Sequence, residues 1–255
     1  MRGNGQPSER QPCPLGVCDG SGWILGPEDV ARPCECRERI VARARSRGVA
    51  SVIPAKYRGV SFDRPPVTEM NDLVVQRVRG FCDQIDRMLE EGRGLWFFGD
   101  AGTGKTTLAM LVSKHALEAG RSVAIYSLPK LLARIRRTFD AERGEQSYSE
   151  LFQRLTTVDL LHLDDLGAEH RTDWVLEQLY ALINERYEAK RSVIVTTNHD
   201  EEQLKSEIGE RIVSRFAEMC APQPLYGADR RWQQGAEDDA ASIAQGGGSV
   251  LGPLD

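Results

Sequence analysis

A glycine-rich run that ends in Lys-Thr carries the strongest chemical signal in this sequence. It follows the pattern of a glycine, four residues and then Gly-Lys-Thr, between an apolar stretch at residues 95–98 and a helix-like pattern at 106–119. Glycines let backbone N–H groups turn inward around an anion, and the start of the helix adds the positive end of its dipole. We therefore predict a P-loop that binds the phosphates of a nucleoside triphosphate. Its residues are Gly99, Asp100, Ala101, Gly102, Thr103, Gly104, Lys105 and Thr106.

Separate side chains are expected to contact the phosphates, the Mg²⁺ ion and the attacking water. Lys105 is expected to meet the β- and γ-phosphates as a point charge, and the hydroxyl of Thr106 is expected to ligate Mg²⁺. Two carboxylates, Asp164 and Asp165, follow the apolar residues 160–163. Mg²⁺ prefers oxygen ligands and usually takes one or two carboxylates beside phosphates, which makes Asp164 its expected ligand. Asp165 is predicted to polarise the attacking water; a turn or helix cap is the alternative for such aspartates.

Two later polar groups complete the predicted site. Asn198 follows the apolar residues 193–197, and ligands of open α/β sheets bind beyond the carboxyl ends of the strands. We expect Asn198 to face the γ-phosphate or its water, with turn formation as the alternative. Arg211 and Arg215 are four residues apart and share a helix face. An arginine there can stabilise transition-state charge in a neighbouring subunit, although the spacing also fits surface arginines. His162, inside a strand pattern, is predicted to be packed rather than catalytic.

Four of the six cysteines lie close together near the start of the chain, as Cys13-x4-Cys18 and Cys34-x-Cys36. Four thiolates are enough for a tetrahedral Zn²⁺ site, and the turn-forming residues 19–22 suit a chain that wraps a metal. We predict zinc there, with free cysteines as the alternative. The other two, Cys82 and Cys220, are isolated and are predicted to pack in the core.

Bulk composition narrows the class of protein. The chain has 255 residues, is 40% hydrophobic and has a net charge of −5, which suits one sizeable core and argues against a generally basic nucleic-acid coat. No apolar run approaches the roughly 20 residues of a membrane helix, and the first ten residues are polar. We expect a soluble cytoplasmic protein with no membrane partner, in a compartment where disulfides are rare.

Strand and helix patterns alternate after residue 94, which predicts a parallel sheet with helices on both faces. The predicted strands are 95–98, 122–126, 160–163, 193–197 and 223–226. The predicted helices are 71–91, 106–119, 128–138, 148–155, 174–189 and 206–219. The Arg-rich segment at 37–47 could form a further helix, either with a solvated charged face or in contact with nucleic acid or a partner. The predicted domains are a Cys-rich module at 1–48, a linker and adenine-side segment at 49–70, an ATPase domain at 71–232 and a disordered tail at 233–255.

Several runs resemble the DnaC/IstB group of AAA+ ATPases, and within it the replicative-helicase loaders of the DnaC/DnaI type. The runs are IPAKY at 53–57 with Ser61-Phe62, the glycine loop, DLLHLDDLG at 159–167, TTN at 196–198 and GERIVSRF at 209–216. The resemblance covers roughly residues 50–231 and implies an α/β P-loop NTPase of the AAA+ type that uses ATP and Mg²⁺. Because only 24 residues follow Arg231, a full C-terminal helical lid is not expected.

The resemblance also implies a role for each matching residue. Lys105 and Thr106 correspond to Walker A, and Asp164 to the Walker B acid that holds Mg²⁺. Asp165 corresponds to the residue that activates water, and Asn198 to sensor 1. Arg215 corresponds to an arginine finger that completes the site of an adjacent subunit, which implies self-association. Arg231 corresponds to sensor 2.

These roles lead to a hypothesis and two alternatives. The hypothesis is an ATPase, converting ATP and water to ADP and phosphate, that loads the replicative DNA helicase onto single-stranded DNA. The resemblance implies that the Cys-rich module contacts the helicase. Since many AAA+ proteins have Asp-Glu where this chain has Asp164-Asp165, we expect slow hydrolysis that a partner or DNA stimulates. The alternatives are an IstB-like transposition helper and a zinc-dependent nucleic-acid adaptor that binds nucleotide without turnover.

Overall fold

The computed structural model describes residues 13, 15–19, 21, 23–26, 30–37, 52–140, 147–167 and 172–229. The chain divides into two compact units, Met1–Ser51 and Val52–Asp255. The first unit contains an antiparallel hairpin of β1 (Trp23–Leu25) and β2 (Ala31–Pro33). Its small core consists of the buried Cys13, Cys34 and Cys36, against which Cys18 and Ile24 pack.

The second unit is built on a five-stranded sheet with the order β4-β5-β6-β3-β7. Every pairing in this sheet is parallel, as the alternating sequence pattern predicts. The strands are β3 (Gly94–Gly99), β4 (Val123–Ser127), β5 (Leu160–Leu166), β6 (Ser192–Thr197) and β7 (Cys220–Leu225).

Helices cover both faces of this sheet. They are α1 (Ala55–Arg58), α2 (Asp72–Asp83), α3 (Ile85–Glu90), α4 (Lys105–Glu118), α5 (Leu128–Asp140), α6 (Tyr148–Thr157), α7 (Asp173–Glu188), α8 (Glu201–Ile208) and α9 (Glu210–Met219), with a 3₁₀ turn at Val67–Glu69. Alternate strand residues enter opposite cores: Val193 and Val195 pack with α5 to α9, whereas Ile194 packs with α2 to α4. This follows from the two-residue period of a strand and confirms the predicted α/β class.

Two predicted helices are each divided in the structure. The predicted helix at 71–91 ends at Asp83 and restarts at Ile85, because Gln84 leaves helical geometry with φ −114°. The predicted helix at 206–219 becomes α8 and α9, separated by Gly209 with φ 92°. Periodicity does not reveal the first break, since the apolar stripe continues through it.

A fully buried arginine, Arg186, connects three elements of the second unit through hydrogen bonds to their backbone. The guanidinium of Arg186 on α7 donates hydrogen bonds to the backbone carbonyls of Leu155 (2.7 Å), Thr156 (3.3 Å), Asp159 (3.3 Å) and Ser192 (2.6 Å). Burial lowers its pKa to about 9. This arginine therefore ties the end of α6 to the beginnings of β5 and β6.

Several other predictions concern the core and the chain ends. Cys82 and Cys220 are buried, as predicted, and burial raises the pKa of each thiol to about 12. His162 is fully buried, as predicted.

Three predictions fall outside the described residues. They are the part of the 37–47 helix beyond Arg37, the tail at 233–255, and the role of Arg231. Within the described ranges, no helix combines the length and apolar character needed to cross a membrane.

Candidate nucleotide site

The glycine-rich loop connects the carboxyl end of β3 to the start of α4. Gly104 caps the helix with φ 100°, a left-handed conformation that favours glycine. A Cβ at this position would lie 2.3 Å from Cε of Met70, so the flexible end of that side chain would have to move. Gly102 likewise has φ 74°. The predicted strand-loop-helix context of a phosphate loop is therefore present.

Hydrogen bonds within the loop surround its lysine. Nζ of Lys105 donates to the carbonyl oxygens of Gly99 (2.8 Å) and Asp100 (2.5 Å), and the side chain is only 6% exposed. The hydroxyl of Thr103 donates to the same Asp100 carbonyl, at 2.8 Å. The Asp100 carboxylate accepts a bond from the N–H of Gly227, at 3.0 Å, which ties the loop to the segment after β7. Ala101 is exposed.

A bulge in β5 presents the two predicted acids. Leu163 pairs with Val195 and Leu166 pairs with Thr197, so three residue steps on β5 match two on β6. The bulge places Asp165 at φ 59°, a conformation that aspartate tolerates better than most residues. Successive residues of a regular strand point to opposite faces, yet Asp164 and Asp165 line one cavity. The extra residue therefore brings both carboxylates to the same site.

The carboxylate of Asp164 is held by several groups. It accepts a hydrogen bond from the Thr196 hydroxyl (2.7 Å) and a further one from Thr106, and Nε2 of His162 lies 3.8 Å from its Oδ1. Burial alone would raise the pKa of Asp164, but His162, Thr196 and Thr106 together outweigh burial and lower it. An ionised carboxylate beside a hydroxyl is a set of hard oxygen donors, which fits Mg²⁺.

The predicted sensor contacts the second acid. Nδ2 of Asn198, just after β6, donates a hydrogen bond to Oδ1 of Asp165 at 3.2 Å. Together with Lys105, Thr106 and Asp164, these two residues line a cavity of about 520 Å³. Gly102 and Gly104 of the loop line it as well, so seven of the predicted site residues meet at the carboxyl ends of the strands.

Another part of the cavity wall comes from the segment before α2. Lys56, Tyr57, Val60 and Met70 line it, and Nζ of Lys114 on α4 holds the segment by donating to two of its carbonyl oxygens at 3.1 Å. The predicted adenine-side segment at 49–70 contains all four residues, and the IPAKY run contains two of them, but no motif gives any of these side chains a role. An apolar wall beside a phosphate loop offers a surface for a nucleotide base.

Arg215 lies elsewhere in this chain. Its Nε and Nη2 donate to Oδ1 of Asn184 at 2.9 and 2.5 Å, and its guanidinium lies over the rings of Tyr187 (4.9 Å) and Tyr180 (5.5 Å). These contacts join α9 to α7. Arg211 on the same helix is exposed. The described residues that line the cavity do not include either arginine.

The first unit gathers the four predicted zinc ligands. The sulfur atoms of Cys13, Cys18, Cys34 and Cys36 all lie within 4.8 Å of one another. Backbone N–H groups, foremost that of Cys18, outweigh burial and lower the pKa of Cys13 to about 6, whereas burial raises that of Cys36. Four converging thiols fit a tetrahedral metal ion such as Zn²⁺.

Comparison with known proteins places this site in a family. The model of the family described as IstB-like ATP binding protein matches residues 68–216. The replicative helicase loader DnaC of Buchnera aphidicola subsp. Baizongia pistaciae is 31% identical over 122 residues, which cover 47% of this chain and 48% of that protein. The loader DnaI of Bacillus subtilis is 25% identical over 187 residues, 68% of this chain and 58% of that protein.

A solved structure supports the same relationship. The crystal structure of the DnaC helicase loader superposes with a TM-score of 0.58 at 26% identity and covers 68% of this chain and 99% of that one. This match confirms the predicted P-loop fold of the AAA+ type. The chain spans about half the length of the first DnaC relatives that it matches. Because the family model matches more than half of the 255 residues, including the phosphate loop and the acids of β5, the chain belongs to the IstB-like ATP binding proteins.

Proposed function

We propose that this chain is an ATPase that loads a replicative DNA helicase onto single-stranded DNA. The observation that carries the proposal is the convergence of the phosphate loop, the two acids of β5 and Asn198 on one cavity. The relationship to proteins described as DnaC and DnaI helicase loaders supports the choice of partner.

The residues of this site divide the work of hydrolysis. Lys105 exchanges its bonds to the loop carbonyls for bonds to the β- and γ-phosphates of ATP. Thr106 and Asp164 would hold Mg²⁺, which would neutralise the charge that develops on the phosphates. Asp165 orients and polarises the attacking water, and Asn198 fixes the direction of the Asp165 carboxylate through the 3.2 Å hydrogen bond. Since an aspartate is one methylene shorter than a glutamate, hydrolysis is slow until a partner adjusts the site.

The proposed action of Arg215 is in trans. Within its own subunit the guanidinium is held by Asn184 and two tyrosine rings on α7. These contacts leave Arg215 half-buried. The described residues that line the cavity of the same chain do not include it. Self-association that brings this helix pair against the cavity of a neighbour supplies the arginine to the neighbour's γ-phosphate.

A basic and aromatic surface supports the proposed contact with single-stranded DNA. From residue 128 to residue 139 of helix α5, every charged side chain is basic. The chain as a whole, by contrast, has a net charge of −5. The guanidinium of Arg136 lies 4.8 Å from the Trp174 ring, and Phe139, 60% exposed, stacks on Tyr148 at 5.3 Å. Bases stack on such rings while arginines contact phosphates. Sequence inspection does not reveal this surface, because its aromatic residues come from different helices.

The Cys-rich unit is the proposed contact with the helicase. Its described residues include the exposed apolar side chains of Leu15, Val17, Trp23 and Val30, which lie around the thiol cluster in sequence. Zn²⁺ held by the four cysteines would fix the backbone that presents these side chains.

A loading assay tests the proposed function. The purified chain and the replicative helicase of its host are mixed with ATP and a circular single-stranded DNA annealed to a short labelled strand, and displacement of that strand is measured. Displacement should require the chain and ATP, should be lost in Lys105→Ala, and should persist in Lys205→Ala, which changes a half-buried lysine on α8 that is paired with Glu201. Failure to bind the helicase, with stimulation of transposase-dependent insertion into duplex DNA instead, would support the transposition alternative.

A further inference from the structure

We propose that Thr196 is a positioning residue that sets both acids of the site through one hydroxyl group; this inference rests on the proposed ATP hydrolysis. Oγ1 of Thr196 accepts a hydrogen bond from the backbone N–H of Asp165 at 2.8 Å and donates one to Oδ1 of Asp164 at 2.7 Å. A backbone N–H only donates and an ionised carboxylate only accepts, so a group that joins them must do both.

The position of Thr196 explains why a hydroxyl is needed there. The bulge in β5 takes the N–H of Asp165 out of the regular pairing with β6, and the Thr196 side chain receives it instead. Thr196 is only 2% exposed and stands beside Val195 in a buried strand. Burying a hydroxyl costs free energy unless it is hydrogen-bonded, and a valine would fill the same volume. The two bonds to the acid pair account for the threonine.

The two bonds act on different parts of the proposed reaction. The bond to Asp164 holds one carboxylate oxygen in place and leaves the other for a cation. The bond to Asp165 holds the backbone at φ 59°, the conformation in which its carboxylate receives the amide of Asn198. Thr197 supports the other side of the bulge, since its hydroxyl donates to the carbonyl of Leu166 at 2.7 Å. Thr196 is therefore the link between the cation ligand and the group that orients water.

Thr196→Val tests this role because it removes the hydroxyl and keeps the branched shape. We expect kcat for ATP to fall about 10- to 100-fold, because misplacement of catalytic groups acts mainly on the chemical step, and we expect KM to rise by the affinity that Mg²⁺ no longer contributes. Thr196→Ser should restore kcat to within about threefold of the wild type, since serine keeps the hydroxyl. Ser192→Ala is the matched control: it removes a buried hydroxyl at the opposite end of β6 and should leave kcat unchanged.

A binding measurement separates this inference from the proposed function. Affinity for a fluorescent ATP analogue is measured in Mg²⁺ and in EDTA; Thr196→Val should lose most of the gain in affinity that Mg²⁺ gives the wild type. If the wild type does not hydrolyse ATP even with helicase and DNA, the proposed function fails while this comparison still tests Thr196. Wild-type kcat and a wild-type Mg²⁺ effect in Thr196→Val would overturn the inference. If Thr196→Val does not fold, Thr196→Cys, with a weakly bonding thiol, provides the same comparison.

Discussion

The side-chain amide of Asn198 donates a hydrogen bond to the carboxylate of Asp165, although 33 positions separate the two residues in the chain. The contact exists because β5 and β6 are neighbours and their carboxyl ends meet at one edge of the sheet. It couples the group that would polarise water to the group that would sense the γ-phosphate, and it leads to the first prediction.

Asp165→Asn is expected to stop hydrolysis while the chain still binds ATP. The change keeps the shape of the side chain but removes its charge, so kcat should fall by about 10²- to 10⁴-fold. Asn198→Asp should cause a comparable loss, because it places two carboxylates in contact. Steady-state rates and binding of a fluorescent ATP analogue measure the two effects separately. Loss of binding in Asp165→Asn would contradict the proposed division of roles.

Arg215→Ala is expected to bind ATP normally and to lose hydrolysis, because its guanidinium would act on a neighbouring subunit. Removal of such an arginine typically costs about 10³-fold or more in kcat. Mixing Arg215→Ala with Lys105→Ala, each inactive alone, should restore part of the activity, since mixed assemblies contain some complete sites. Arg211→Ala on the same helix is the control. No recovery on mixing, over a range of ratios, would argue against action in trans.

Trp174→Ala is expected to weaken binding of a fluorescent single-stranded oligonucleotide by about 5- to 100-fold. This is the range for removing one aromatic ring on which a base stacks. Arg136→Ala should weaken it too and should reduce the slope of log affinity against log salt by about 0.7 for each phosphate that the protein no longer neutralises. Arg87→Ala changes an exposed arginine on α3 that is paired with Glu91, and it should leave affinity unchanged. Equal effects of all three changes would place the DNA elsewhere.

The purified chain is expected to contain about one zinc ion, because four thiols converge in its first unit. Elemental analysis measures the ratio of metal to protein. Cys34→Ser and Cys36→Ser should lose the metal and the binding of helicase, while the affinity for ATP stays unchanged because the nucleotide site lies in the other unit. Retention of full helicase binding in metal-free protein would exclude the proposed role of this unit.

Arg186→Met is expected to lower the free energy of unfolding by about 3 kcal/mol, because it removes the hydrogen bonds of the guanidinium to four backbone carbonyls, and two of these bonds are fully buried. For a domain of this size, that corresponds to a fall in Tm of about 6–12 °C. Arg191→Met is the matched control: Arg191 forms a partly exposed ion pair with Asp159 at 3.2 Å, and such pairs contribute about 1 kcal/mol or less. Thermal unfolding by circular dichroism measures both. Equal shifts would show that burial does not decide the effect.

Local pattern was sufficient for the elements that carry the site. The phosphate loop, the strand that ends in Asp164 and the strand before Asn198 are each read from a few adjacent residues, because loop conformation and strand burial depend on near neighbours. Alternation of these elements predicted the parallel sheet. The parallel order then predicted that the strand ends meet. The breaks at Gln84 and Gly209 were missed, because the apolar periodicity on which the prediction rested does not report backbone angles.

Long-range contacts were decided only by the tertiary structure. Thr196 reads as an ordinary strand residue until the bulge of β5 brings Asp164 and Asp165 to its hydroxyl. Spacing leaves Arg215 open between a surface arginine and a group that acts on a neighbour, and the resemblance implies the latter, but only the packing of α9 on α7 shows that it lies against Asn184. These pairs are about 30 residues apart, and a hydrogen bond depends on distances of a few tenths of an ångström, which sequence spacing does not specify. The sequence by itself therefore determined which groups are available for chemistry, and the folded sheet decided how they are held.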